Sequence, residues 1–101
     1  MDTATPEISD WSADSLARML VWNGELEATC YGVPVSLFVL TGGYAVSIYP
    51  PLSAAIDGST VDSIDALLTE CRALCREHAP ACVDAWQLQE AQRSGLQPRL
   101  W

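Results

Sequence analysis

Between Ala28 and Ile56 the chain carries no charged side chain, and Pro34, Gly42-Gly43 and Pro50-Pro51 interrupt that stretch at eight-residue intervals. A membrane-spanning helix needs about 20 unbroken apolar residues and favours Lys or Arg at its flanks. Here the flanks are Glu27 and Asp57, so the stretch reads as a buried sheet. Alternation sets its strands at about Glu25–Cys30, Val33–Thr41 and Tyr44–Tyr49. Tyr31-Gly32 and Gly42-Gly43 are the two-residue loops, because mirror-image hairpin turns require positive φ, which glycine accepts freely. The first loop pairs Cys30 with Val33, Ala28 with Val35 and Leu26 with Leu37. The second pairs Thr41 with Tyr44, Val39 with Val46 and Leu37 with Ile48. Both put Leu26, Ala28, Cys30, Val35, Leu37, Val39, Val46 and Ile48 on one face, and a one-residue slip would destroy that agreement.

The opposite face presents Glu25, Glu27, Thr29, Ser36, Phe38, Leu40, Ala45, Ser47 and Tyr49. Phe38, Leu40 and Tyr49 are more apolar than a solvated face needs. Either a helix or the loop 52–58 covers them, or they form a partner-binding patch fringed by carboxylates.

Helices flank the sheet. The first spans about 13–22, with Ser12 as N-cap, Asp14 at its positive end, Asn23-Gly24 at its stop and Ala13, Leu16, Met19 and Leu20 as its apolar stripe. The second spans about 60–78, capped by Ser59 or Thr60. Its stripe is Val61, Ile64, Leu67, Leu68, Cys71, Leu74, Cys75 and His78 at three- and four-residue steps. Arg72 and Arg76 suit the negative end of that helix. Pro80 cannot continue it but suits the first turn of a third, about 81–93, which stops at Gly95. Leu96–Trp101 is apolar enough to fold back onto the body. The expected architecture is a single α+β domain over residues 1–101: an N-terminal helix, a three-stranded antiparallel meander and two C-terminal helices.

Half of the 101 residues are hydrophobic and 18% are charged, which argues against intrinsic disorder. Thirteen Asp and Glu oppose five Arg, for a net charge of −8. That balance disfavours direct binding to nucleic acid, where Lys and Arg must neutralise phosphates, and to anionic membrane surfaces. Asp2, Glu7, Asp10 and Asp14 leave no basic region for a secretory signal. A cytoplasmic location and reduced cysteines follow as expectations.

Cys71, Cys75, His78 and Cys82 are the one set with metal-ligating chemistry, since thiolates and an imidazole can hold zinc tetrahedrally. Each also occupies a position that the apolar stripe or its continuation needs, and buried cysteine packs as a small hydrophobe. A disulfide between the second and third helices is a further use of the same residues. His78 could lower the thiol pKa of Cys75 or Cys82, but neighbours at i and i+3 on a helix rarely aim at each other. The glycines sit at turns and caps without a phosphate-cradling spacing. No cofactor and no enzymatic activity are expected.

Up to Glu27 the chain holds six acids and one Arg. Such an excess keeps a small domain soluble, and on ordered elements it also steers a protein onto a basic partner. In size, acidity, element order and lack of an active site, the chain resembles the small acidic proteins that phages and mobile elements direct against host defences, anti-CRISPR proteins above all. The resemblance implies a stoichiometric inhibitor that occupies a basic surface of a large nucleoprotein effector complex in the host cytoplasm. The expected contact residues are Glu25, Glu27, Phe38, Leu40, Tyr49, Asp10 and Asp14. Two alternatives are a small metal-binding or redox domain built on Cys71, Cys75, His78 and Cys82, and a homodimeric accessory subunit joined through the outer sheet face.

Overall fold

The computed structural model describes residues 5–93. It is an α+β fold with three helices and a four-stranded antiparallel sheet in the order β1-β2-β3-β4. The chain enters helix α1, Ala13–Asn23, through Ser12, whose hydroxyl accepts from the Ser15 N–H at 3.2 Å. It leaves through Gly24 in the left-handed conformation, with the Gly24 N–H donating to Leu20 O. Leu16 and Leu20 are buried, whereas Met19 is exposed. Met19 lies about 100° round the helix from Leu20, off the face that meets the core.

Strands β1, Glu25–Cys30, and β2, Val33–Leu40, pair Leu26 with Leu37, Ala28 with Val35 and Cys30 with Val33. Tyr31 (φ 54°) and Gly32 (φ 78°) make the mirror-image turn. Strand β3 is Gly43–Ile48, and here the expected register is corrected. Leu37 faces Val46, Val35 faces Ile48 and Val39 faces Tyr44, so the loop is Thr41-Gly42 and the pairing is displaced by two residues.

The cause of that displacement lies outside the hairpin. The backbone of Val61 crosses the start of β3 and exchanges two hydrogen bonds with Tyr44, at 2.8 and 2.9 Å. A side chain at position 43 would place its Cβ 2.6 Å from Val61 O. Gly43 is therefore drawn into the strand by a close approach, while Gly42 (φ 84°) alone serves the turn. An even displacement keeps every side chain on its face, so Val35, Leu37, Val46 and Ile48 still enter the core. Val39 does not: on the inward-facing side, it stands at the end of the sheet and is exposed.

The expected loop 52–58 contains a short strand β4, Ile56–Asp57, paired with β3 through Ser47 and Ile48. The Gly58 N–H continues toward Val46 O, and the Ser59 N–H donates to Glu70 at 2.9 Å. These ties hold residues 56–61 extended, so helix α2 begins late, at Ile64–His78, with Ser63 rather than Ser59 or Thr60 as its cap. Helix α3, Pro80–Arg93, follows after Ala79. The expected stop at Gly95 and the tail Leu96–Trp101 lie outside the described residues.

Helices α1 and α2 pack on one face of the sheet, and α3 packs against α2. Leu16, Leu20, Leu67, Leu68, Cys71, Leu74 and Cys75 meet Ala28, Cys30, Val33, Val35, Leu37, Val46 and Ile48 in one core. Ahead of α1, residues 6–8 run parallel to the free edge of β1, with the Ile8 N–H donating to Thr29 O and the Thr29 N–H to Pro6 O, both at 2.8 Å. Ile8 is thereby pinned fully inside the core.

Candidate functional site

The outer sheet face carries Glu25, Glu27, Phe38, Leu40 and Tyr49, as the alternation requires. Phe38 is half-buried beside Glu25, its partner across the strands, while Leu40 and Tyr49 are exposed. The segment expected as a cover instead extends the sheet edge as β4, and Leu52 within it is fully exposed. The apolar members do not form one patch, however. Tyr49 donates its N–H to Pro34 O at the start of β2, and Leu40 ends that strand. At about 3.3 Å per residue they stand roughly 20 Å apart.

Asp10 and Asp14 also separate from the expected set. Asp14 lies in the first turn of α1, on the helical side of the sheet, and Asp10 lines a cleft beside α3.

Sequence reasoning missed the apolar surface at the Leu40 end. The Val39 N–H donates to Gly24 O at 2.8 Å, which sets the end of α1 against the end of β2. Val21 and Trp22, at the end of α1, are about four-fifths exposed (79% and 82%), and Val39 on the helical face of the sheet is 44% exposed, whereas Leu40, at 43%, points to the opposite face. Val21 and Val39 share a cleft of about 300 Å³ with Leu20, Tyr44 and Ile64. The available signal was that Val21 and Trp22 extend the apolar run of α1 beyond its Leu16–Leu20 stripe.

At the other end of the first hairpin the surface is polar and densely bonded. The Glu7 carboxylate accepts four hydrogen bonds: Thr29 Oγ1 at 2.6 Å and the Gly32 N–H at 3.1 Å on one oxygen, the Tyr31 N–H at 2.7 Å and the Ser9 N–H at 3.3 Å on the other. This clasp helps offset the cost of on the order of 1 kcal/mol for a non-glycine residue at positive φ. Arg72 donates to Ser9 O and Trp11 O, both at 2.9 Å, strapping the entering chain to α2. Arg76 donates to the Tyr31 hydroxyl at 2.7 Å and lies over its ring. Trp86 of α3 rests on the turn, 3.5 Å from where a Gly32 Cβ would stand. Glu7, Ser9, Tyr31 and Trp86 line a cleft of about 410 Å³ that Asp10, Gln87, Glu90 and Arg93 complete.

The cysteines assemble differently from expectation. Cys71 and Cys75 turn inward and meet Cys30 of β1, with Cys75 Sγ 3.6 Å from Cys30 O. His78 is exposed and faces Glu77 at 3.8 Å, and Cys82 is half-buried. Hydrogen bonds to Cys71 and Cys75, together with burial, push the Cys30 thiol up. A hydrogen bond from Cys30 lowers Cys71, but its bond to Cys75 and burial outweigh it and carry Cys71 up to about 12. Cys75 is pulled down to about 4, because Cys30 and Cys71 both stabilise its thiolate. Its contact with a carbonyl oxygen opposes that pull, since a carbonyl accepts only a protonated thiol. All four cysteines are free thiols, and among the described residues no group of three or more His, Cys, Asp or Glu is arranged to hold a metal ion. No described helix is long and apolar enough to cross a membrane.

No family model matches the sequence, and no curated protein and no solved structure matches it.

Proposed function

We propose that the chain is a non-enzymatic binding protein that occupies a basic protein surface, acting as a stoichiometric, anti-CRISPR-like inhibitor of a nucleic-acid-handling defence complex. The observation that carries this reading is the exposed pair Val21 and Trp22 at the end of α1, with Val39 in the cleft beside Val21, on a molecule of net charge −8. Burying such a side chain contributes about 1.5–3 kcal/mol, and association itself costs at least about 4 kcal/mol. Val21 and Trp22, being largely exposed, supply most of that gain, and it only roughly offsets the cost of association. The acidic surface adds long-range attraction that raises the rate of encounter with a cationic partner. Glu25, next to Gly24, and Asp62 and Asp65, flanking Ile64, place carboxylates near the cleft in sequence.

The test mixes the protein with a purified RNA-guided nuclease complex and measures target cleavage and complex formation across a salt series. Cleavage should fall to completion near one inhibitor per complex, and binding should weaken as salt rises to physiological levels. Trp22→Ala should weaken binding about tenfold or more while leaving the fold intact. Unaffected cleavage at large excess, with no complex on gel filtration, would overturn the reading. Self-association through the same residues would favour a homodimeric subunit instead.

A further inference from the structure

The cleft between the Tyr31-Gly32 turn and α3 lies at the opposite end of the first hairpin from the apolar surface, and the proposed docking there does not use it. Its wall is the indole of Trp86, and a guanidinium already sits on it: Arg93 Cζ is 5.7 Å from the ring centroid. The same guanidinium pairs with Glu90, Nη1 to Oε2 at 3.0 Å. Asp10 lines the same cleft, and its carboxylate has no ion-pair partner among the described residues. An aromatic plane with two carboxylates at its rim matches a guanidinium, which stacks on a ring while its N–H groups reach planar acceptors. A volume of about 410 Å³ accommodates one long side chain.

We propose that this cleft is a recognition site for an arginine side chain on a basic partner protein, with Arg93 as the occupant that the partner's arginine displaces. The chain's own arginine marks the chemistry the cleft accepts. Arg93 is exposed and held by an ion pair between residues three apart on a helix and by its stacking on Trp86, interactions that are each worth little at an exposed site, so displacement meets little resistance. Lysine fits less well, because a strongly hydrated ammonium neither stacks nor bridges two carboxylates with a planar fork. The site is independent of the apolar end, so the two proposals can fail separately.

The test titrates the full chain with acetyl-Gly-Arg-Gly-amide and its Lys counterpart, following the indole N–H signals by NMR and assigning Trp86 from the Trp86→Leu variant. The Arg peptide should shift the Trp86 signal saturably, and the Lys peptide should bind about fivefold more weakly or worse. Arg93→Gln should tighten Arg-peptide binding about threefold to tenfold by emptying the cleft, whereas Arg18→Gln, an equal change in net charge on α1, should not. Should Trp86→Leu fail to fold, Asp10→Asn keeps the test intact and should weaken binding severalfold. Equal affinity for the two peptides, equal gains from Arg93→Gln and Arg18→Gln, or no movement of the Trp86 signal would each overturn the proposal.

Discussion

The two ends of the sheet are held by opposite means. At the Tyr31-Gly32 end, Glu7, Arg72 and Arg76 stitch three segments distant in sequence with hydrogen bonds of 2.6–3.3 Å. At the Thr41-Gly42 end one backbone crossing, Val61 over Gly43 and Tyr44, does the positioning, and large apolar side chains face solvent. The first end offers polar groups already arranged around a cleft. The second leaves hydrophobic area in water. A small domain whose core is confined to the middle of the sheet thus presents two ends of contrasting chemistry.

The strongest way to break both ends at once is through that shared middle. Leu37→Ala removes a fully buried side chain paired with Leu26 and Val46, and denaturant titration should register a loss of about 3 kcal/mol. Glu7→Ala should break the polar end alone. It strips the turn amides and Thr29 of a charged acceptor, for a loss of about 2–3 kcal/mol, with amide exchange quickening at Tyr31 and Gly32 before Tyr44. Gly43→Ala reverses that pattern: its Cβ cannot lie 2.6 Å from Val61 O. A loss of about 1–3 kcal/mol should follow, with protection lost first at Tyr44 and Val61.

The thiol cluster sharpens the comparison through pH. Cys30 and Cys71, with pKa values raised above the ordinary 9.0, and Tyr31, raised above 10.0 chiefly by burial, stay protonated in the fold where the unfolded chain ionises. The unfolded state then binds fewer protons, so the stability these groups contribute is intact below about pH 9 and is lost as pH rises toward 12. Cys75, with its pKa lowered, contributes in the opposite sense up to about pH 9, so melting temperatures should fall between about pH 9 and 11, and Cys71→Ala should flatten that decline. The smallest expected effect is at the apolar end, where Trp22→Ala should change stability by no more than about 0.5 kcal/mol. A larger loss would mean that Trp22 supports the fold rather than facing a partner.

The contrast also explains what was legible beforehand. Both hairpins announced themselves by glycine-containing loops between alternating strands, yet only the first kept its expected register. Gly42 and Gly43 are adjacent and chemically identical: one answers a backbone angle and the other a close approach by residue 61. Nothing local distinguishes the two demands. Glu7 read as one acid among thirteen, and Arg72 and Arg76 as charges suited to a helix end, because apart from the Ser9 N–H on Glu7 their hydrogen-bond partners lie 22 to 63 residues away in sequence. Cys30 joined the inward face correctly, but its meeting with Cys71 and Cys75 depends on how α2 lies across the sheet. His78 continued the apolar spacing of α2 but falls at its last residue, where the helix has run past the core.

By itself the sequence determined the three helices, the strand faces and the caps at Ser12 and Gly24, because these rest on periodicity and backbone preferences a few residues long. The tertiary structure alone decided the two-residue displacement of β3, the late start of α2, the Glu7 clasp and which apolar residues remain in water. Those depend on contacts between segments far apart in the chain, where a single oxygen placed 2.6 Å from a would-be Cβ outweighs a local turn preference.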